Sequence, residues 1–207
     1  MRNMAPSIFD NCVYVFESIL TPQECDDIVE YFKDKNKHPA TTVDYVFKDK
    51  KGGTKENNFN NEKVRKGHVK FSRDIYDIPS GEKLAMAMEH VSAETGIIID
   101  QDLLDFQLGI YDNNGDHFDW HKDHMVGAST FNKKVRKLSG SLQLSDSDDY
   151  TGCNLEVRTD NTGRTLGCSR AKGDFIVFPA WMNHRVTKLE SGHRDALILW
   201  YRGPEFR

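Results

Sequence analysis

The chain has 207 residues and a formal net charge of −4, from 28 basic and 32 acidic side chains. This length is sufficient for one well-buried core, and we expect a single domain over residues 1–207. The two charge signs are mixed along the sequence, so no overall basic field indicates a nucleic-acid partner. No apolar run approaches the roughly 18 residues that span a bilayer, and the four cysteines are widely spaced, without a CxxC pair. We therefore expect a soluble, cytoplasmic protein with reduced thiols and no membrane contact.

The first elements of the chain are predicted to be a strand and a helix. Residues 11–20 form a short apolar run that is typical of a strand. Thr21 is followed by Pro22 and, three residues after the threonine, by Glu24, a pattern that predicts a helix start with Thr21 as the N-cap. The helix is expected to run to about Lys35.

The next segment, residues 33–67, is crowded with Lys, Asn, Asp and Gly. It lacks periodicity, which predicts a long flexible loop. Loops of this length often act as lids or binding elements, so the part from about Lys48 to Lys66 is interpreted either as a substrate lid or as a solvated insertion.

A second helix is predicted from Pro79 to about Thr95, with Gly96 at its end. After residue 100 the pattern becomes strand-like, with short apolar or alternating runs separated by Gly, Asn, Asp and Ser. These runs predict an α+β protein with a jelly-roll core, a double-stranded β-helix, over about 101–207. N-terminal helices within about 1–100 are expected to buttress one sheet.

Two His-x-Asp triplets overlap between His117 and Asp123. Either triplet, joined by the later His184, supplies two imidazoles and one carboxylate, the ligand set of non-heme Fe(II) oxygenases. If the segment is a strand, residues 117, 119, 121 and 123 share one face. Periodicity therefore does not choose between the triplets.

Arg194 follows His184 by ten residues, in an extended run on an adjacent predicted strand. A guanidinium stays charged and presents a planar fork that suits a carboxylate. An open iron face beside such an anchor indicates a dicarboxylate co-substrate, 2-oxoglutarate.

The order of these motifs resembles that of 2-oxoglutarate and Fe(II)-dependent dioxygenases, in particular their prolyl 4-hydroxylase-like branch. The resemblance spans most of residues 105–203 and rests on Tyr111, Gly115, Phe118, His121, Asp123, Leu155, His184, Val186, Arg194 and Trp200. It selects the second His-x-Asp triplet. It also implies a jelly-roll fold, Fe(II), 2-oxoglutarate and O2, with ascorbate as a further candidate cofactor.

The resemblance implies a role for each of these positions. His121, Asp123 and His184 would bind iron, and Arg194, helped by the Tyr111 hydroxyl, would hold the distal carboxylate of 2-oxoglutarate. Gln143 lies where relatives often present a tyrosine to the co-substrate, and is a candidate contact.

One departure from the family pattern concerns a turn. Gly152 and Cys153 stand where relatives usually have paired glycines, which puts the local turn geometry in question.

Several nearby residues have an ordinary interpretation. His117 and His124 flank the ligands and are expected on the surface or behind the ligands, and His193 should point away from the site. Three further side chains are weighed as core against wall of the site; these are Leu155, Trp181 and Trp200.

Three classes of function are consistent with this pattern. The leading hypothesis is hydroxylation of a peptidyl prolyl residue or another protein side chain. The alternatives are an oxygenase acting on a free amino acid or alkylated nucleic acid, and a non-enzymatic metal-binding jelly roll. The lysines between 48 and 70 are interleaved with acids and asparagines, which argues against a nucleic-acid groove. Arg194 argues against the non-enzymatic alternative.

Overall fold

The computed structural model describes residues 7–9, 13–48, 54–59, 61–72, 74–124, 134–158 and 163–205. The helical elements are α1 (Pro22–Tyr31), a 3₁₀ turn (Ile75–Asp77) and α2 (Gly81–Thr95). The strands are β1 (Ser7–Phe9), β2 (Val13–Phe16), β3 (His38–Pro39), β4 (Thr42–Lys48), β5 (Thr54–Phe59), β6 (Arg65–Lys66), β7 (His68–Lys70), β8 (Leu104–Tyr111), β9 (His117–His121), β10 (Lys134–Gln143), β11 (Tyr150–Gly152), β12 (Leu155–Arg158), β13 (Thr165–Gly167), β14 (Phe175–Pro179), β15 (His184–Val186), β16 (Leu189–Gly192) and β17 (Arg194–Pro204).

Both helices begin or end on the signals that predict them. The Thr21 hydroxyl accepts from the backbone N–H of Glu24, and the Glu24 carboxylate accepts from the backbone N–H of Thr21, which completes the capping box. Gly96 caps α2 with a φ of 69°, a left-handed conformation that glycine adopts without steric cost. The first helix ends at Tyr31, about one turn before the predicted Lys35.

The strands form two main antiparallel sheets. The larger sheet has the strand order β1-β2-β14-β10-β17-β8-β7-β3, and the second has the order β13-β12-β15-β9-β6. Two smaller pairs, β11-β16 and β4-β5, complete the described strands. The two main sheets face each other as a jelly roll, which confirms the predicted fold class.

Alternation along the strands of the larger sheet separates two hydrophobic cores. On β14, Phe175 and Val177 pack with the helices, whereas Ile176 and Phe178 pack between the sheets. The core between the helices and the larger sheet includes the apolar stripe of α2 predicted from the sequence, formed by Leu84, Met88 and Val91. The helices therefore buttress the outer face of the larger sheet and leave its inner face to the jelly-roll interior.

The prediction of one long flexible loop over 33–67 is wrong for much of that segment. Thr42–Lys48 and Thr54–Phe59 pair as an antiparallel hairpin, with Thr42 opposite Phe59 and Lys48 opposite Thr54. Val43, Tyr45 and Phe47 recur at every second position of the first strand, a strand signal that the prediction passed over, whereas the second strand carries no apolar alternation. Residues 49–53 and 60, which belong to the predicted lid, lie outside the described residues.

Of the helices in the described ranges, none combines the length and the apolar character that crossing a bilayer requires.

Candidate metal and co-substrate site

Three potential metal ligands converge between the two sheets. His121 ends β9, Asp123 follows two residues later, and His184 begins β15 directly opposite His121. The Nε2 atoms of His121 and His184 lie 3.6 and 3.3 Å from separate carboxylate oxygens of Asp123. One ligand atom from each of the three side chains lies within 4.8 Å of the other two.

A bulge in β9 decides which His-x-Asp triplet contributes to this cluster. His184 pairs with His121 but Val186 pairs with Phe118, so two steps along β15 correspond to three along β9. As a result Phe118 and His121 both face the pocket, and their rings stack with centroids 3.4 Å apart. His117 contacts the carbonyl oxygens of Gly115 and Lys63 instead.

The second nitrogen of each imidazole has an identifiable backbone partner. The Nδ1 of His121 lies 2.7 Å from the carbonyl oxygen of Asp119, and the Nδ1 of His184 lies 3.0 Å from that of Met182. Because a carbonyl only accepts, each Nδ1 carries a proton, which leaves Nε2, the nitrogen that faces Asp123, as the one that can bind a metal. The Ser139 hydroxyl donates to the Asp123 carboxylate at 2.7 Å and fixes its orientation.

The protonation states of this cluster suit a cation. Burial, together with the neighbouring His184, lowers the pKa of His121 to about 3, so this imidazole is neutral at physiological pH. Burial alone would raise the pKa of Asp123, but His184 and His121 outweigh it and hold the pKa well below its usual range. Burial opposes the charged form of His184 as well, yet Asp123 raises its pKa. A divalent cation binding here would displace the proton that His184 and Asp123 share.

The donor set fits the iron that the sequence predicts. Two neutral imidazole nitrogens and one carboxylate oxygen on the same side of a pocket form a facial triad, which leaves the opposite coordination positions open. Both histidines are oriented by backbone carbonyls and the carboxylate by a hydroxyl, as is usual for metal ligands in proteins.

Arg194 begins β17 on the inner face of the larger sheet and lines the same pocket. It is 2% exposed, and none of the described carboxylates lies within 4.0 Å of its guanidinium. Its Nε atom has no hydrogen-bond partner among the described residues. Leaving a buried charge unpaired is costly, so this arrangement favours binding of an anion.

Two other predicted residues surround Arg194 in different ways. Tyr111 lies opposite Arg194 on β8, lines the pocket, and has its ring centroid 5.4 Å from the guanidinium. Gln143 is 2% exposed, and its side-chain oxygen accepts a hydrogen bond from Arg194 at 2.8 Å. Gln143 is absent from the described residues that line the pocket. Its position therefore indicates that Gln143 orients Arg194, and its contact with the co-substrate stays a prediction.

We expect Gln143→Leu to raise the apparent KM for 2-oxoglutarate by about tenfold or more, because a hydrogen bond to a charged group contributes roughly 1.5 to 3 kcal/mol. Iron binding should stay unchanged, since Gln143 lies away from the triad. Steady-state kinetics and iron titration measure both quantities, with the exposed α1 variant Gln23→Leu as the control. An unchanged KM would show that Arg194 keeps its orientation without this amide.

The turn at Gly152 and Cys153 keeps a left-handed backbone despite the missing second glycine. The φ angles of the two residues are 71° and 51°. A non-glycine residue in this region costs about 1 kcal/mol, and Cys153 is fully buried in the inter-sheet core. The turn geometry that the sequence left in question is therefore compatible with the fold.

Of the remaining candidate residues, two line the pocket and three lie outside it. Leu155 and Trp200 line the pocket, whereas Trp181 packs partly buried against the inter-sheet core. His124 contacts the Arg136 carbonyl, and His193 is half exposed and pairs with Asp195.

Sequence reasoning missed several residues that complete the pocket. These are Arg65, Gln107, Ser139, Gly140, Ser141, Phe178, Ala196 and Ile198. A local signal did exist for part of this set, because the polar residues Ser139, Ser141 and Gln143 alternate along the buried second half of strand β10. Arg65 had no such signal, since it lies on a two-residue strand within a polar segment.

Comparison with known proteins agrees with this geometry. Residues 106–202 match the model of the 2OG-Fe(II) oxygenase superfamily. The match spans most of the jelly-roll core, so this part of the chain is similar to that superfamily. The matched segment contains all three triad residues and Arg194, so the family pattern and the cluster coincide.

Curated proteins similar to this part of the chain include bacterial PKHD-type hydroxylases. The protein from Teredinibacter turnerae is 32% identical over 91 residues, and the one from Pseudomonas fluorescens is 34% identical over 91 residues. Each match covers 42% of this chain and 38% of the relative. The chain thus aligns with well under half of the length of these relatives.

Solved structures with the same fold include prolyl hydroxylases. A Pseudomonas putida prolyl-4-hydroxylase has a TM-score of 0.64 at 13% identity and covers 93% of both chains. A Trichoplax adhaerens prolyl hydroxylase, solved with a hypoxia inducible factor peptide fragment, has a TM-score of 0.63 at 11% identity and covers 93% of this chain and 84% of that chain. At these identities the likeness establishes the fold alone.

Proposed function

We propose that this protein is an Fe(II)- and 2-oxoglutarate-dependent dioxygenase that hydroxylates a C–H bond of a peptidyl prolyl residue or another protein side chain. The observation that carries the proposal is the shared pocket. It brings the triad of His121, Asp123 and His184 together with the buried guanidinium of Arg194, which has no carboxylate partner among the described residues.

Each side chain would have a distinct task. His121, Asp123 and His184 would hold Fe(II), and Arg194 would bind the distal carboxylate of 2-oxoglutarate through a charge-assisted pair. When bound, the iron and 2-oxoglutarate supply an oxidant from O2, with release of succinate and carbon dioxide. The protein orients these groups and excludes water from them.

The walls of the pocket are suited to water exclusion. Leu155, Phe178, Val186 and Ile198 provide apolar surface around the triad and Arg194. A dry surrounding strengthens the electrostatic contacts of Asp123 and Arg194, because the local dielectric constant is low.

A peptide or protein substrate is supported by the fold relatives, one of which was solved with a bound peptide fragment. A single domain over 1–207 is supported by the core that the helices share with the larger sheet. The described cysteines, Cys25, Cys153 and Cys168, are free thiols, which supports a reducing compartment such as the cytoplasm.

The direct test of the reaction is the Fe(II)-dependent conversion of 2-oxoglutarate to succinate and carbon dioxide by the purified protein. Proline-containing peptides, free amino acids and alkylated oligonucleotides would be compared for their stimulation of this conversion. Stimulation by peptides, with a mass gain of one oxygen atom, is the expected result. Stimulation by free amino acids or oligonucleotides alone would replace the substrate class, and no conversion under any condition would refute the oxygenase.

We further propose that the β4-β5 hairpin belongs to a substrate lid. Among the described strands these two pair only with each other. The chain then leads to β6, whose first residue, Arg65, lines the pocket. An element joined to the pocket in this way is placed to close over a bound peptide.

Replacing residues 43–58 by a short Gly/Ser linker is expected to leave iron binding and slow 2-oxoglutarate decarboxylation intact. Thr42 and Phe59 face each other in the hairpin, so the cut ends lie close enough for a short linker to join them. Substrate-stimulated turnover should fall at least tenfold, because the substrate would no longer be covered. Equal stimulated turnover in the trimmed and full-length proteins would identify the hairpin as a solvated insertion.

A further inference from the structure

The pocket contains a second guanidinium, that of Arg65, close to the metal triad. Arg65 lies 4.6 Å from the ring centroid of Phe118, and Phe118 in turn stacks on His121. One Arg65 nitrogen donates to the Thr41 carbonyl, and none of the described carboxylates lies within 4.0 Å of this guanidinium. This stacking keeps the Arg65 guanidinium at the pocket and leaves its remaining N–H groups available to bind a ligand.

A further guanidinium, that of Arg136, is not among the described residues that line the pocket, but it lies over Trp200 at 3.8 Å from the ring centroid. Trp200 lines the pocket, and the Arg136 side chain is 26% exposed. The nearest described carboxylate, Asp105, lies 3.9 Å from Arg136, but Arg202 already contacts the same Asp105 oxygen with two nitrogens, each at 2.7 Å. Arg136 therefore remains incompletely neutralised.

Both guanidiniums are within electrostatic range of the triad. Burial lowers the pKa of Arg65 and of Arg136, and Asp123 opposes this shift in both. Arginine nonetheless remains charged in proteins at any physiological pH. Two permanent positive charges thus lie near the carboxylate that is proposed to bind iron.

The filled site would leave these two charges unbalanced. Asp123 is the one carboxylate among the described residues that line the pocket. A divalent cation and Arg194 carry three positive charges, which Asp123 and the dicarboxylate 2-oxoglutarate balance. None of these four groups neutralises Arg65 or Arg136. The substrate is the ligand still to bind, so it is the group that can balance these two charges.

We propose that the substrate carries a carboxylate near the carbon that is oxidised, and that Arg65 and Arg136 bind it. This inference rests on the proposed oxygenase function and adds the charge class of its substrate. A guanidinium fork matches a carboxylate bidentately, and stacking on Phe118 and Trp200 restricts each fork before binding. The carboxylate is either the α-carboxylate of a free amino acid or an acidic side chain in a peptide.

The test uses the protein loaded with Mn(II) and N-oxalylglycine, an analogue of 2-oxoglutarate that is not decarboxylated, so that the triad and Arg194 are already occupied. Calorimetry would compare two matched pairs of probes. One pair is L-proline and L-prolinamide, and the other is acetyl-Ala-Glu-Pro-Ala-amide and acetyl-Ala-Gln-Pro-Ala-amide. In each pair only the carboxylate differs.

The wild-type protein is expected to bind the carboxylate probe of one pair at least about tenfold more tightly than its amide, the effect of one charge-assisted hydrogen-bonded contact. The pair that shows the preference identifies the source of the carboxylate. The double variant Arg65→Gln and Arg136→Gln should reduce the preference to less than about threefold. Arg65→Lys keeps the charge without the fork and should retain part of it.

The matched control is Arg185→Gln, because Arg185 pairs with Glu156 at 2.7 Å and does not line the pocket. This variant should keep the full preference. Absence of a carboxylate preference in both pairs, or its survival in a folded double variant, would overturn the inference. If the wild-type protein shows no Fe(II)-dependent conversion of 2-oxoglutarate, the proposed function itself is refuted. Failure of the proposed function is therefore distinguishable from failure of the carboxylate inference.

Discussion

Replacement of His121, Asp123 or His184 by alanine is expected to abolish Fe(II)-dependent 2-oxoglutarate decarboxylation. Each substitution removes one of the three donors, which all lie within 4.8 Å of one another. Loss of a protein ligand from an open three-ligand site weakens metal binding and removes the geometry that the chemistry needs. Iron stoichiometry and succinate formation measure the two effects separately, and circular dichroism checks that the variant is folded.

His117→Ala is the matched control for His121→Ala. The His117 ring contacts the backbone carbonyls of Gly115 and Lys63, outside the triad. This variant should bind iron and turn over 2-oxoglutarate as the wild type does. Retained activity in His121→Ala with loss in His117→Ala would mean that the other His-x-Asp triplet binds the metal.

Arg194→Ala is expected to lower the apparent affinity for 2-oxoglutarate by about 10² or more, since truncating a buried charged pair typically costs ~2 to 5 kcal/mol. The effect should be large because Arg194 is 2% exposed and the structure provides no carboxylate partner for it among the described residues. The measurements are the 2-oxoglutarate dependence of decarboxylation and the binding of 2-oxoglutarate by calorimetry.

Iron binding should persist in Arg194→Ala, because the triad makes no contact that depends on this guanidinium. Arg194→Lys tests charge against shape, since it keeps the positive charge but loses the planar fork, and an intermediate affinity is expected. A normal 2-oxoglutarate dependence in Arg194→Ala would remove the anchor from the proposal and favour a non-enzymatic metal-binding jelly roll.

Local signals in the sequence predicted the helices and the strands of the core. The capping box of Thr21 and Glu24 and the left-handed Gly96 act within a few residues, so they are readable without tertiary information. The same holds for strand β14, whose continuous apolar run reflects burial on both faces of the larger sheet.

The β4-β5 hairpin shows where local signals are weak. Residues 54–59 lack the apolar alternation by which strands are recognised, and the alternation of Val43, Tyr45 and Phe47 lies within a segment otherwise rich in Lys, Asn, Asp and Gly. The sequence pattern therefore predicted a loop where two strands exist.

The ligand types and the order of His121, Asp123, His184 and Arg194 were determined by the sequence itself, because the chemistry of a site depends on which side chains the chain carries. Only the tertiary structure decided which of them meet. The β9 bulge turned His121 and Phe118 into the pocket and left His117 outside, and the cross-strand register placed Gln143 against Arg194. Register and bulges arise from pairing between distant strands, and a one-residue shift reverses the face of every side chain. For the same reason the approach of Arg65 and Arg136 to the pocket, through Phe118 and Trp200, became visible only in the folded chain.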